Sequence, residues 1–133
     1  METMFKEVSY KQYLDGDYVG SVENACKEIN DRLKAMYKKH KKEELDGQDL
    51  FDKVFNDDMS KALLKVAHDM TIQSSKDEQA GYRFLLMGMW SALRNIKEHE
   101  NPAIEKEVAY SNLIFTSMLM EKIDQAFLVM LSE

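Results

Sequence analysis

The stretch Ser75–His99, SKDEQAGYRFLLMGMWSALRNIKEH, decides the fold, because helix signals, close-packing residues and candidate chemistry coincide in it. Ser75 followed three residues later by Glu78 reads as a capping box, the Ser accepting from free backbone N–H groups and the Glu reaching back. Tyr82, Leu85, Leu86, Met89, Leu93 and Ile96 then recur at three- and four-residue spacing, which predicts one long helix with a core-facing stripe. Gly81, Gly88, Ala92, Asn95 and His99 make a second, thin stripe: at about 100° per residue they fall within roughly 60° of one another. Glycine inside a helix costs about 0.5–1 kcal/mol relative to Ala, so two on one face predict the close approach of another backbone. Ordinary core packing, with a solvent-exposed His at the helix end, accounts for the same spacing.

The 133 residues suffice for one domain, 1–133, with a real core, but not for two. Eighteen Lys and Arg against 24 Asp and Glu leave a formal charge of −6. That balance argues against a protein that coats nucleic acid by bulk electrostatics and leaves room for a small local RNA site. One cysteine, Cys26, rules out an intramolecular disulfide, and the hydrophilic start lacks a signal-peptide profile. No apolar run approaches the roughly 20 residues needed to span a bilayer, so the expectation is a soluble cytoplasmic protein with no membrane partner. Five Gly, one Pro and weak strand signals predict an all-α fold, a small bundle of about four to five helices.

Upstream of the deciding stretch, a short helix is expected within Met1–Asp15, with Phe5, Val8 and Leu14 as apolar contacts. After the Asp15-Gly16-Asp17 turn, Val19, Val22, Cys26, Ile29, Leu33 and Met36 follow a 3,4,3,4,3 spacing and predict a helix to about Tyr37. Cys26 lies inside that stripe and reads as a small buried hydrophobe. Lys38, Lys39, His40, Lys41 and Lys42 then sit near the helix end that favours positive charge. A charge run is usually a solvated face; four lysines in five residues of an acidic chain also make a candidate phosphate-attracting, RNA-binding patch. Leu50, Phe51, Val54 and Phe55 predict a short core-plugging helix, interrupted at Asn56–Met59. The apolar run in Lys61–Met70 is too short to decide between a helix and a buried extended segment. His68, which follows it, reads as structural or exposed, and Thr71–Ser74 as loop.

Downstream, Asn101 reads as a cap with Pro102 in the first turn of a last helix running to about Val129. Ile104, Val108, Phe115, Leu119, Ala126 and Met130 line one face of it. Ala109, Leu113, Thr116, Met120, Ile123 and Phe127 line the neighbouring face. Two apolar faces exceed the needs of one partner helix, so either this helix is central or one face meets a second subunit.

Arg94, Asn95 and His99 are the candidate catalytic set. Imidazole gives and takes protons near neutral pH, and guanidinium offers a fixed fork of donors for a phosphate. Together they suit metal-independent RNA cleavage: His99 would handle the proton of the 2′-hydroxyl or of the 5′-oxygen leaving group, and Arg94 would stabilise the phosphorane. In a straight helix Arg94 and His99 are about 7.5 Å apart along the axis and about 140° apart around it, so they do not converge unaided. A fraying last turn or a curling Arg side chain would repair this. So would a second subunit docked on the Gly81, Gly88, Ala92 face, the solution favoured here. Asn95 lies four residues before His99 on one face and is suited to orient the imidazole or bind an oxygen of the substrate. Alternatively, Arg94 simply pairs with Glu98 one turn on. His40, His68 and His99 have no recognised ligand spacing, and neither a metal nor another cofactor is expected.

The segment Glu78–Glu100, with Gly81-Tyr82, Phe84-Leu85, Gly88, Arg94-Asn95 and His99-Glu100, resembles a family of small bacterial and phage-associated proteins within the wider HEPN superfamily. The resemblance extends to Asp15-Gly16-Asp17-Tyr18, to Asp46-Gly47-Gln48-Asp49-Leu50 with Val54-Phe55, and to Ser117, Leu119 and Asp124. It implies a helical bundle that dimerises. It also implies, as in many HEPN proteins, a metal-independent ribonuclease of toxin–antitoxin, abortive-infection or RNA-processing systems, whose motif is an Arg, a polar residue and a later His. Arg94, Asn95 and His99 match that motif. Ile96 stands where related sequences carry a proline, a departure that leaves the helix between Arg94 and His99 undistorted. A non-catalytic RNA- or nucleotide-binding module, and an antitoxin-like adaptor that docks another protein through its last helix, are the competing expectations.

Overall fold

The 3,4 spacing of Val22, Cys26, Ile29 and Leu33 becomes the spine of the molecule: all four are buried, on a helix against which every other described helix packs around one core. The computed structural model of the chain describes residues 7–94 and 104–130. Among them are five helices: α1 (Glu7–Leu14), α2 (Tyr18–Lys41), α3 (Gly47–Val54), α4 (Gln73–Leu93) and α5 (Lys106–Gln125). Two short strands, β1 (Leu64–Lys65) and β2 (Phe127–Leu128), pair antiparallel with Leu64 opposite Leu128 and Lys65 opposite Phe127. The all-α expectation holds. Helix α2 packs against α1, α3, α4 and α5, and α4 packs against α3 and α5. At about 1.5–3 kcal/mol for each fully buried large apolar side chain, this shared core is the main stabilising term.

Local chemistry explains the boundaries. Asp17 caps α2 by accepting from the Gly20 N–H at 3.0 Å. The helix runs a turn beyond Tyr37, because Tyr37 is itself buried and the basic last turn suits the negative end of the helix. It ends at Lys42, whose backbone turns left-handed (φ 61°) while its N–H donates to the Lys38 carbonyl. Leu50, Phe51, Val54 and Phe55 are all buried, as the core-plugging pattern requires. In α1 it is Ser9 that is buried, and Tyr13 packs on Tyr18 and Tyr110, while Leu14 is exposed. Phe5 and the Val8 side chain lie outside the described residues.

Two expected boundaries move, and one open segment takes a definite form. The Ser75–Glu78 capping box does not form: α4 starts at Gln73, with Ile72 as its first cap and no side-chain cap hydrogen bond. Asp69 instead closes a turn on Thr71 just upstream. The undecided 61–70 segment is extended, since Leu63 and Leu64 are buried and β2 supplies backbone partners, Val129 N–H donating to the Leu63 carbonyl at 3.0 Å. Helix α5 starts at Lys106 and stops at Gln125, so Phe127 belongs to β2. Its Ala109, Leu113, Thr116, Met120 and Ile123 face is buried. On the neighbouring face Leu119 is buried but Val108 is exposed and Phe115 half-buried. His68 is exposed and stacks on Phe127, ring centres 3.7 Å apart.

One buried polar residue holds the irregular segment to the bundle. Gln79 of α4 donates to the carbonyls of Asn56 and Leu64 and accepts from the Val66 N–H at 3.0 Å. Its amide thereby satisfies backbone groups that the two-residue strand cannot.

Candidate functional site

Arg94 caps the C-terminal end of α4, half-buried, with its guanidinium over the Trp90 ring, 4.4 Å from the centroid. The two are one helical turn apart, so a helix alone brings them together. Such a contact contributes about 0.5–2 kcal/mol, more as water is excluded. Arg94 Nε is buried and has no hydrogen-bond partner among the described residues. The charge also reaches Cys26 of α2. Burial pushes that thiol up to about 12, the Glu23 carboxylate adding to the shift and Arg94 opposing it. Cys26 is therefore an inert core hydrophobe, as its place in the stripe suggested.

Trp90 is held in turn by the loop into α3. Its ring meets Phe51 edge-on, 5.4 Å between centres at 81°. Its Nε1 edge faces Gly47, where a Cβ would come within 2.9 Å. Gly47 is also left-handed (φ +57°), so both backbone and space favour glycine there. Buried Asn30 of α2 accepts from the Gly47 N–H at 3.0 Å and donates to Asp46 Oδ1 at 2.6 Å. That bond holds the Asp46 carboxyl below the usual carboxylate range; burial works against it and Lys34 works with it. Gln48 donates to the Met87 carbonyl at 2.8 Å and to Ser91 Oγ, which fixes the last turns of α4 on the same loop. Its Oε1 is buried without a partner among the described residues. Trp90, Asn30 and Gln48 had no part in the sequence-based site. The signal for Trp90 was its place four residues before Arg94.

Asn95 and His99, the other two candidate catalytic residues, lie outside the described residues, as does Glu98. The Gly81, Gly88 and Ala92 face is exposed, and no described atom lies within 4 Å of a Cβ built at either glycine. The close backbone approach expected from those glycines therefore does not occur within the described part of the chain. Phe84 and Leu85 flank the same face, 62% and 37% exposed. Beside it a groove of about 250 Å³ opens between α4 and α5, lined by Leu85, Gly88, Ala92, Leu93 and Phe115. Val108, Ile114 and Met118 extend the exposed apolar surface along α5.

The lysine run forms the last turn of α2. Lys38 pairs with Glu44 at 2.8 Å, and Lys42 Nζ donates to the Lys39 carbonyl. Two of its four lysines are thus engaged locally. Lys39 lies 13 residues beyond Cys26, roughly 20 Å along the helix, so the run and Arg94 occupy separate parts of the surface. Among the described residues no three His, Cys, Asp or Glu side chains gather as metal ligands, and no helix is long and apolar enough to cross a membrane.

Comparison with curated proteins and with solved structures gave no match. A family model described as a protein of unknown function, Hypoth_ymh, matches residues 3–123, and the chain belongs to that family.

Proposed function

We propose that the chain is a metal-independent endoribonuclease of HEPN type, acting as a homodimer in phage defence or a toxin–antitoxin setting. The observation that carries the reading is Arg94: a guanidinium seated on Trp90 at the end of α4, beside an open face of small residues suited to a second copy. In the reaction the 2′-oxygen attacks the adjacent phosphorus and gives up its proton to a base. The 5′-oxygen leaves and takes a proton, and the products are a 2′,3′-cyclic phosphate and a 5′-hydroxyl. Arg94 balances the charge that develops on the phosphorane. His99, with Asn95 orienting it, handles the protons.

The test is cleavage of a mixed RNA pool by the purified chain in EDTA, with end-group analysis and with the Arg94→Ala and His99→Ala variants. Cyclic-phosphate ends, lost in both variants while circular dichroism and assembly mass stay unchanged, support the reading. Cleavage that survives both substitutions, or a wild-type protein that binds RNA without cutting it, overturns it. An adaptor that docks another protein is favoured by one observation, the exposed Val108, Ile114 and Met118 on α5. Stable capture of a partner that covers those residues, with no RNA cleavage, would select it.

A further inference from the structure

We infer that the Asp46-Gly47-Gln48 loop, anchored by Asn30, is the positioning device for Arg94, and that it acts through Trp90. The inference rests on the nuclease reading only for what Arg94 does, not for how it is held. Each link is a specific contact. Asn30 is buried in α2 and grips the loop at both Asp46 and the Gly47 N–H. Gly47 leaves the space that the Trp90 Nε1 edge occupies; a Cβ would intrude to 2.9 Å. Phe51, buried in the first turns of α3, closes on the Trp90 ring edge-on. The indole carries the guanidinium on its face. Gln48 ties the α4 backbone at Met87 and the side chain at Ser91 to the same loop, so helix and indole are referenced to one frame.

The helix alone puts Arg94 beside Trp90, but nothing in it requires the indole to be seated between Phe51 and Gly47. A leucine at position 90 would fill the contact with Phe51 and leave a long Arg side chain free to rotate. A left-handed glycine beneath an indole edge, itself under a cation, is a costly way to build a core contact and a direct way to fix a charge in space. Gln48, Trp90 and Gly47 are positioning residues in this scheme. Of the residues in this chain of contacts, Arg94 is the one that would touch substrate.

Trp90 is the only tryptophan in the chain, so its fluorescence reports the stack without labelling. Emission and acrylamide quenching are measured on the full chain without RNA for wild type, Arg94→Gln, Gly47→Ala and the surface control Lys61→Gln. Expected are a shifted emission and altered quenching in Arg94→Gln and Gly47→Ala, and wild-type spectra in Lys61→Gln. Arg94→Gln removes no core group, so it decides the stack even where Gly47→Ala fails to fold. Unchanged emission in Arg94→Gln overturns the inference. In the RNA arm, Trp90→Leu is expected to lower kcat about 100-fold with little change in KM, the cost of misplacing a catalytic group by about 1 Å, and Trp90→Phe to recover most of the loss. Wild-type cleavage by Trp90→Leu overturns the positioning role while the nuclease reading stands. Absence of cleavage by the wild-type chain refutes the nuclease reading, and the emission arm then decides how Arg94 is held.

Discussion

Replacing Gln79 by leucine tests the joint between the bundle and its irregular segment. The side chain is 1% exposed and makes three bonds: its amide N–H groups donate to the Asn56 and Leu64 carbonyls, and its carbonyl oxygen accepts from the Val66 N–H. Leucine is close in volume, so little cavity is created, but it leaves the backbone groups without their partner. An unsatisfied buried group costs about 1–3 kcal/mol. Leu64 is buried and takes the full penalty, whereas Asn56 and Val66 are half-buried and recover part of theirs from water. The sum is about 2–4 kcal/mol. For 133 residues the unfolding entropy is roughly 0.28 kcal/mol/K, so the midpoint is expected to fall by about 7–14 °C. Thermal melting followed by circular dichroism, with amide exchange at Val66, reads this directly. A fall of less than about 3 °C would show that water replaces the Gln79 amide at little cost and that the clamp is not what holds the segment.

Three further outcomes are expected. Arg83 donates to the Asp52 carboxylate through Nη2 and to the Asp52 backbone carbonyl through Nε, with both side chains less than a third exposed. A double-mutant cycle of Arg83→Met with Asp52→Asn should give a coupling of about 1 kcal/mol in urea unfolding, and a value near zero would refute a structural role for the pair. The Asn30 amide lowers the Asp46 carboxyl below its ordinary value, so the stability it contributes is present above about pH 5 and drains away as pH falls through and below the ordinary carboxylate range. The gap between wild type and Asp46→Asn should therefore narrow on acidification; a gap that stays constant to pH 3 contradicts the assignment. Cys26, buried with its thiol pushed up to about 12, should resist a disulfide reagent at pH 8 in the native protein and react at once in guanidinium chloride. Stoichiometric native labelling would contradict its burial.

The candidate site was legible only where chemistry and local spacing coincide. Arg94 stood out because a cation near a helix end with a His nearby suits a phosphate. Gly81 and Gly88 stood out because glycine inside a helix requires a reason. The pattern could not say whether that reason lay inside the chain; the tertiary arrangement leaves the glycine face open to solvent. Trp90 escaped notice as a site residue for a physical reason too. An indole in an apolar helix reads as core, and only the left-handed Gly47 against its edge gives it a second role.

By itself the sequence determined the helical class and the buried stripes of α2 and α3, because period and turn chemistry are local; in α1, α4 and α5 part of the expected apolar face, Leu14, Leu85 and Val108, is exposed. The stripe Val22, Cys26, Ile29, Leu33 and the cluster Leu50, Phe51, Val54, Phe55 are buried as their spacing requires. The tertiary structure alone decided the rest. Leu64–Lys65 is a strand only because Phe127–Leu128, more than 60 residues away, supplies its backbone partners. Helix α4 begins before Ser75, its first turn closed by the Lys76 N–H donating to the Ile72 carbonyl, and Gln79 rather than a capping box ties that part of the helix to the loop. Arg94 is held where it is by a chain of contacts from α2 through α3 to α4. Hydrogen-bond partners and ring contacts between segments distant in sequence have no period, so no reading of spacing can assign them.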